Sequence, residues 1–298
     1  MQSKRNEYDV IIIGFGKAGK TLVSEFAGRG YSVAMVEASD RMYGGTCISI
    51  GCIPTKALIH AAFLASKTGD MKQNYFEQSM KEKDRLVSAL RKKNYDLLAQ
   101  NPLVTIFNGF GSFSGTHSIR ITDKNGKERE IRGEKIIINT GSESFIPPIE
   151  GIKGNPYVKT STELLEVKVL PPRLTIIGGG YIGLEFASMF ASFGSQVTVL
   201  DGGTEFIPRE DRDVADALLE ALQHKGVKIL LNSGIKRIEE QTVLCSGIAD
   251  QEEYSVEGDL ILVATGRRPR ISGLNLEKAG VELTERGAIK VNRHLQTT

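Results

Sequence analysis

Apolar positions along this chain gather in short unbroken runs, each ending on glycine or on an acid. Tyr8 to Ile13 ends in the run Val10-Ile11-Ile12-Ile13 and passes into Gly14-Phe15-Gly16-Lys17-Ala18-Gly19. A helix-type stretch follows, then a second apolar run from Ser32 to Val36 that stops at Glu37. The plan returns later: Leu174 to Ile177 passes into Gly178-Gly179-Gly180-Tyr181-Ile182-Gly183, and after a helix-type stretch Gln196 to Leu200 stops at Asp201. Glu37 stands 23 positions after Gly14, and Asp201 stands 23 positions after Gly178. Continuous apolar runs of strand length, bounded by turn residues, predict strands buried on both faces, so both copies read as βαβ units of a parallel sheet. Each copy is completed by a further run ending in a Thr-Gly turn: Ile136-Ile137-Ile138-Asn139-Thr140-Gly141-Ser142 and Leu260-Ile261-Leu262-Val263-Ala264-Thr265-Gly266-Arg267.

The remaining segments read differently. From Phe76 to Gln100 the pattern is helical; from Ser112 to Ile131 it alternates around Asn125-Gly126 and predicts a β-meander. Phe145 to Pro156, with Pro147-Pro148 and Gly151, reads as a linker, and Ala288 to Val291 as a strand. The expected organisation is residues 1–147 as the first part of one domain, 148–269 as a second, and 270–298 as the start of a return to the first.

A lone G-x-G-x-x-G is weak evidence. Here each copy also has its strand, its helix and its acid, and these are the parts a bound dinucleotide requires. The first glycine makes the turn, the second lets a diphosphate approach the backbone at a helix N-terminus, and the third lets helix and strand pack. The acid accepts hydrogen bonds from ribose hydroxyls. Gly14, Gly16, Lys17, Ala18, Gly19 and Glu37 are candidates in the first copy; Gly178, Gly180, Tyr181, Ile182 and Asp201 in the second. A carboxylate at Asp201 repels a 2′-phosphate, which favours NADH over NADPH, although Arg209 stands close enough in sequence to reach such a phosphate.

Composition changes this picture little. The net charge of +2, from 38 basic and 36 acidic residues, gives no electrostatic reason to expect nucleic acid or a membrane surface. The basic stretch Lys81 to Lys93 is interleaved with Glu82 and Asp84 and reads as a solvated helix face. The apolar runs are far shorter than a membrane span. The N-terminus is polar, and three cysteines are too few for a secreted disulfide scaffold, so a cytoplasmic protein is expected.

Two of those cysteines carry the sharpest signal: Gly44-Gly45-Thr46-Cys47-Ile48-Ser49-Ile50-Gly51-Cys52-Ile53-Pro54-Thr55-Lys56. In a regular helix, positions five apart are separated by roughly 7.5 Å along the axis. That exceeds the roughly 7 Å limit on Cα separation for a disulfide. A bridge between Cys47 and Cys52 therefore demands a distorted backbone, and Gly51 and Pro54 stand where distortion is easiest. A helix start also favours a thiolate. Zinc would need two further ligands that Cys245 and four scattered histidines do not supply, so no metal site is expected. Cys245 reads as an inert thiol in a loop or at a strand edge.

These residues together resemble the class I pyridine nucleotide-disulfide oxidoreductases, among them dihydrolipoamide dehydrogenase, glutathione reductase and mercuric reductase. Gly14 to Leu22, Met42 to Gly45 and Pro208 to Asp213 look closest to the bacterial reactive-chlorine-resistance flavoenzymes, which behave as copper(II) reductases. The resemblance implies an α/β protein of two Rossmann-like domains, one for FAD and one for NAD(P), in three layers with parallel sheets and β-meanders. It implies electron flow from NAD(P)H through FAD to the Cys47–Cys52 disulfide, then to a small disulfide or a thiophilic metal ion. Cys52 would lie nearest the flavin and Cys47 would exchange with substrate. Lys56, paired with Glu185, would lie beside the reactive edge of the flavin, and Tyr181 would be the gate displaced by nicotinamide. Gly45, Thr46, Cys47, Lys56, Gly111, Thr140, Gly141, Ser142, Glu185 and Gly266 join the expected cofactor contacts.

Departures from the pattern are Ser49 where Asn is usual and Asn139 where Ala is usual. The chain stops before the expected glycine-aspartate segment and before the dimerisation domain with its acid-base histidine; His60 is no replacement. A homodimer is expected of a complete protein, and a monomeric or aggregation-prone state of the present chain. The competing reading is a catalytically silent dinucleotide-binding module.

Overall fold

The computed structural model describes residues 5–68, 72–248 and 251–298. The chain divides into two compact units. The first comprises Met1–Ile53, Leu86–Glu143 and Arg268–Thr298, and the second Pro54–Arg85 and Ser144–Arg267. The division differs from the expected one chiefly at residues 54–85, which group with the second unit. The reason is burial: Leu58, Ala62, Phe76 and Met80 share one hydrophobic cluster with Leu184, Phe190 and Phe193.

In the first unit, β1 (Glu7–Ile13), α1 (Lys17–Gly28) and β2 (Val33–Glu37) form the expected βαβ element. The short helix α2 (Gly45–Ser49) follows, then the long helices α3 (Cys52–Thr68) and α4 (Lys72–Ala99), parts of which belong to each unit. Four further strands, β3 (Val104–Asn108), β4 (Phe110–Gly115), β5 (Ser118–Thr122) and β6 (Glu128–Ile138), complete a six-stranded sheet of order β3-β2-β1-β6-β5-β4. Its first four strands are parallel. The meander and the later apolar run, two elements in the sequence reading, are continuous: β6 pairs antiparallel with β5 through its first half and parallel with β1 along most of its length. Alternation places successive β1 residues on opposite faces. Val10 and Ile12 pack with Val23 and Ala27 of α1, whereas Ile11 and Ile13 pack with Phe113, Ile119 and Leu274.

The second unit repeats the scheme with β7 (Val158–Thr160), α5 (Ser161–Leu164), β8 (Arg173–Ile177), α6 (Tyr181–Phe193), β9 (Gln196–Leu200), α7 (Arg212–His224) and β10 (Lys228–Leu230). After an antiparallel sheet of β11 (Ser233–Glu239), β12 (Thr242–Gly247) and β13 (Glu253–Glu257), the strand β14 (Leu260–Val263) inserts beside β8. The parallel order is β10-β9-β8-β14-β7. One face buries Leu174 and Ile176 under the phenylalanines of α6; the other buries Ile177 and Val263 with Val243 and Cys245.

Several expectations are corrected. Ala288–Val291 is no strand: Ile289 makes only an isolated bridge to Leu283. Cys245 is in the middle strand of its sheet, 1% exposed, rather than in a loop or at an edge. The basic stretch of α4 is not wholly solvated, because Lys83 is buried and donates to the carbonyl of Leu165 at 2.6 Å. Gly45–Lys67 is long and apolar enough to cross a membrane by length and composition, its most apolar window having a mean hydropathy of 1.6. The stretch is broken at Ile50–Gly51, however, and Leu58 and Ala62 within it are core residues of the second unit.

Candidate active site

The two glycine fingerprints occupy equivalent places. In the second unit the sheet reverses its strand order between β8 and β14, the position where open α/β sheets bind ligands. Ala264 N donates to the carbonyl of Ile177 at 2.8 Å, so the Thr-Gly turn lies against the fingerprint. Gly178 has φ +109°, and a Cβ there would fall 2.6 Å from the carbonyl oxygen of Ala264. Gly183 is tighter still: its Cβ would stand 2.1 Å from the oxygen of Gly178, which is why the third glycine is needed for helix–strand contact. Gly180 caps α6 without a side-chain hydrogen bond, and its missing Cβ faces open space. The first amides of a 13-residue helix are thus presented to a cavity of about 770 Å³. Its lining includes Tyr181, Ile182, Asp201, Arg209 and Gly266. Both oxygens of Asp201 are held, Oδ2 by Gly179 N at 2.6 Å and Oδ1 by Gly203 N at 2.7 Å.

The first unit copies this geometry. Asn139 N donates to Ile13 O at 2.8 Å, Gly14 has φ +108°, and its Cβ would fall 2.3 Å from the oxygen of Asn139. Glu37, 7% exposed, accepts from Phe15 N at 2.7 Å and Ser39 N at 3.0 Å. Burial pushes its pKa up, against the pull of those amides and of Arg270. Asn139 uses its side chain to donate to Gly14 O at 2.9 Å. It fits because Gly16 and Gly19 lack the Cβ atoms that its amide would otherwise meet at 3.1 and 2.5 Å. The cleft here is narrow, about 90 Å³.

Of the expected first-site residues, Gly14, Gly16, Glu37, Gly45, Thr46, Gly111, Thr140 and Gly141 line this cleft; Lys17, Ala18, Gly19, Cys47, Lys56 and Ser142 are not in its lining. In the second unit Glu185 is likewise outside the lining. Sequence reasoning missed Arg270, which lines the first cleft opposite Glu37 in charge, and Ile207 and Pro208 in the second. The run Arg267-Arg268-Pro269-Arg270 directly after the Thr-Gly turn was an available signal for the first of these.

The cysteine segment is distorted where a bridge requires it. Gly44 and Gly45 have φ +89° and +72°, and a Cβ on Gly45 would stand 2.5 Å from the Cα of Gly16, so α2 seats directly on the start of α1. Ile50 ends α2 with φ −144°, Gly51 bends with its missing Cβ 3.0 Å from the oxygen of Thr46, and α3 begins at Cys52. Pro54 takes no part in this break; it stands in the first turn of α3, where a missing N–H is tolerated. Both cysteines are thiols, hydrogen-bonded to each other through their side chains. Cys52 is exposed and Cys47 half-buried. Burial is the main reason that the Cys47 thiol lies above its ordinary pKa, followed by Cys52, while Lys17 and Lys20 pull it down. Arg91 braces the segment by donating to Ser49 Oγ at 3.1 Å.

Within the second unit Lys56 pairs with Glu185, as expected. The Lys56 side chain is 66% exposed and that of Glu185 26%. Tyr181, also exposed, donates its hydroxyl to Glu210 at 2.5 Å. Among the described residues no cluster of three or more His, Cys, Asp or Glu converges on a metal-sized site.

Comparison with known proteins agrees with this geometry. Residues 8–298 match the family model for pyridine nucleotide-disulphide oxidoreductases. The chain belongs to that family. It is 46% identical, over 98% of its length, to the probable pyridine nucleotide-disulfide oxidoreductase RclA of Escherichia coli (strain K12), of which it covers 64%. It is 35% identical to dihydrolipoyl dehydrogenase of Acholeplasma laidlawii, covering 98% of this chain and 87% of that one. The solved Cu(II) complex of the HOCl-induced flavoprotein disulfide reductase RclA from Escherichia coli superposes with a TM-score of 0.89 at 45% identity, over 98% of this chain and 64% of that one. The chain therefore spans just under two-thirds of the length of RclA. Membership of the family implies use of FAD and a pyridine nucleotide.

Proposed function

We propose that the protein is an oxidoreductase that takes electrons from a nicotinamide dinucleotide and delivers them through the Cys47–Cys52 pair to a small disulfide or a thiophilic metal ion such as Cu(II). The observation that carries this reading is the cysteine segment itself. Two thiols five positions apart are brought into hydrogen-bonding contact by a helix break at Ile50–Gly51, and the segment is anchored by Gly45 against Gly16 of a dinucleotide fingerprint. A merely structural module has no use for that break.

FAD, when bound, supplies two-electron exchange between a nicotinamide and a disulfide. The residues that would hold it are the open amides at the start of α1, Glu37 for a ribose, and Arg270, Thr140 and Gly141 around the narrow cleft. In the second unit the start of α6 and Asp201 would hold the dinucleotide, in NADH by preference, because Asp201 disfavours a 2′-phosphate. Lys56 and Glu185 form a charge pair within the second unit; by likeness to the family pattern they would serve the reactive edge of the flavin. Tyr181 would be the displaced gate.

The cysteines perform the exchange. With both reduced, the thiolate of one attacks an acceptor disulfide and forms a mixed disulfide, expelling one acceptor thiol. The second cysteine then attacks its partner's sulfur, closes the Cys47–Cys52 bond and expels the other thiol. The acceptor gains two electrons and two protons, and the pair loses them. For Cu(II) as substrate the two electrons pass one to each of two ions, giving two Cu(I), while the Cys47–Cys52 bond closes and two protons are released. Cys47 is assigned to the acceptor and Cys52 to the flavin side, by likeness to the family pattern.

The test is anaerobic incubation of the oxidised protein with FAD and NADH, followed by counting thiols. Two new thiols per chain are expected, and none in Cys47→Ser or Cys52→Ser. Unchanged thiol content in the unaltered protein would overturn the reading and leave the silent-module alternative.

A further inference from the structure

The cysteine helix α2 is braced by two side chains of α4 that no motif announces. One is Arg91, bonded to Ser49. The other, one turn on, is Asn94, which lies against the root of α2. The Cβ that Gly44 lacks would stand 3.3 Å from the side-chain Cγ of Asn94 and 2.6 Å from Ile48. Asn94 is 7% exposed, and both ends of its amide are used. Its Nδ2 donates to the carbonyl of Leu90 at 2.6 Å, and its Oδ1 accepts from the ammonium of Lys20, on α1.

Lys20 is thereby fixed among three elements of the first unit. These are its own helix α1, α4 through Asn94, and α2, which seats on α1 where Gly45 meets Gly16. Its partner is a neutral amide. Among the described residues no carboxylate pairs with this ammonium, so its charge is held in place without being cancelled. In α2 that charge acts on Cys47: the Lys20 ammonium and a Cys47 thiolate favour one another. Of the other groups around Cys47, Cys52 favours the thiol and Lys17 the thiolate. Arg91 bonds two positions away at Ser49, and Asp40 and Arg41 stand on the turn before α2.

We infer that Asn94 is a positioning residue for Cys47: by accepting the Lys20 ammonium on an uncharged oxygen, it fixes a positive charge beside the thiol that meets the acceptor. An acid at position 94 would hold the lysine equally well but would cancel its charge. An apolar residue would release the ammonium to solvent, where water and salt screen it. The inference rests on the reading that Cys47 is the thiol that exchanges with the acceptor. The step it serves is attack of the Cys47 thiolate on an acceptor disulfide: the Cys47–acceptor bond forms, the acceptor S–S bond breaks, and one acceptor thiolate leaves.

The experiment measures the pH midpoint of Cys47 labelling by iodoacetamide in the reduced protein, read on the Cys47 peptide by mass spectrometry. Asn94→Ala and Lys20→Met should each raise that midpoint by about 0.5 pH, roughly a threefold loss of thiolate at a pH well below it. The double variant should lie no higher than Lys20→Met alone, because Asn94 acts through the lysine. Asn94→Asp should raise the midpoint at least as far as Asn94→Ala although the bond is kept, a result that packing alone does not give. Lys20→Arg, which keeps the charge, should stay within about 0.2 pH of the unaltered protein. Asn94→Leu, which fills the space of the amide without an acceptor, takes the place of Asn94→Ala should that variant not fold. An unchanged midpoint in the Asn94 variants, or additive shifts in the pair, would overturn the inference. Failure of the underlying reading shows separately. A stable mixed disulfide with hydroxyethyl disulfide in Cys47→Ser, and none in Cys52→Ser, would overturn the role of Cys47 whatever the midpoints are.

Discussion

The amide of Gly179 donates to the carboxylate of Asp201 at 2.6 Å, across 22 residues of chain. The first unit makes the same bond from Phe15 to Glu37 at 2.7 Å. The residues differ in a compensating way. A Cβ at position 179 would stand 2.8 Å from Asp201 Oδ2, so glycine admits the shorter acid, whereas the extra methylene of glutamate leaves room for Phe15. Each acid is therefore fixed before any ribose reaches it.

A fixed Asp201 should discriminate between nucleotides. NADH is expected to bind about tenfold or more tightly than NADPH, which is roughly 1.4 kcal/mol. Asp201→Ser should narrow that ratio, mainly by letting NADPH in. Titration calorimetry with both nucleotides checks it. Tighter binding of NADPH by the unaltered protein would mean that Arg209 outweighs the carboxylate.

Thiol labelling should separate Cys245 from Cys47. Cys245 is 1% exposed, and burial pushes its pKa up to about 11. It should resist iodoacetamide in the native chain at pH 8 and react only after unfolding. Cys47 should react with a pH midpoint above the usual thiol range, because burial and Cys52 favour its protonated form. Lys17→Met and Lys20→Met should each raise that midpoint further by removing a cation that lowers it. Mass spectrometry of labelled peptides across pH 6–10 reads all of this, and a midpoint that falls in either lysine variant would contradict it.

The acid limb of stability should report Asp259. Its carboxylate accepts from Arg173 N at 2.8 Å and Arg173 Nη2 at 3.0 Å, and these bonds hold its pKa below the ordinary value. A lowered folded-state pKa means that the stabilisation is complete above the unfolded value, about 3.9, and is lost as pH falls through the folded one. Asp259→Asn should lower the urea midpoint at pH 6 and converge with the unaltered protein near pH 2. Parallel curves over that range would show that the pair contributes nothing to the acid transition.

Much of this architecture was legible because both βαβ units obey local rules. The strand boundaries at Gln196–Leu200 and Leu260–Val263 follow from apolar runs ended by an acid or a Thr-Gly turn, and the first and third glycines of each fingerprint stand where a Cβ would meet backbone within 3 Å. What was not legible depends on which surface a side chain meets. Nothing in the sequence separates Lys83, whose ammonium is buried on the Leu165 carbonyl, from its solvated neighbours. The assignment of residues 54–85 to the second unit depends on Phe76 meeting Phe190 and Phe193, a contact across more than a hundred positions. Cys245 looked peripheral because its burial depends on β11 and β13 pairing on either side of its strand, which is a contact between strands and not a pattern within one. The strap of residues 202–211 around Ile207 has no motif at all; Arg212 and Tyr181 bond to it from outside the segment.

The fingerprint glycines should fail in different ways when changed to alanine. At Gly183 the added Cβ would meet the oxygen of Gly178 at 2.1 Å, a backbone atom that cannot move without parting α6 from β8. Gly183→Ala should destabilise the second unit by about 1–3 kcal/mol, the ordinary penalty of overpacking a tight contact. At Gly180 the Cβ would meet nothing within 4 Å, and φ is −78°, which alanine adopts freely. Gly180→Ala should therefore fold with an unchanged urea midpoint. Its methyl group would stand over the first amides of α6, where a diphosphate must approach, so NADH affinity should fall at least tenfold with stability intact. Chemical denaturation and calorimetry on the two variants give the contrast. A stable Gly180→Ala that binds NADH normally would show that the diphosphate does not sit on that helix end.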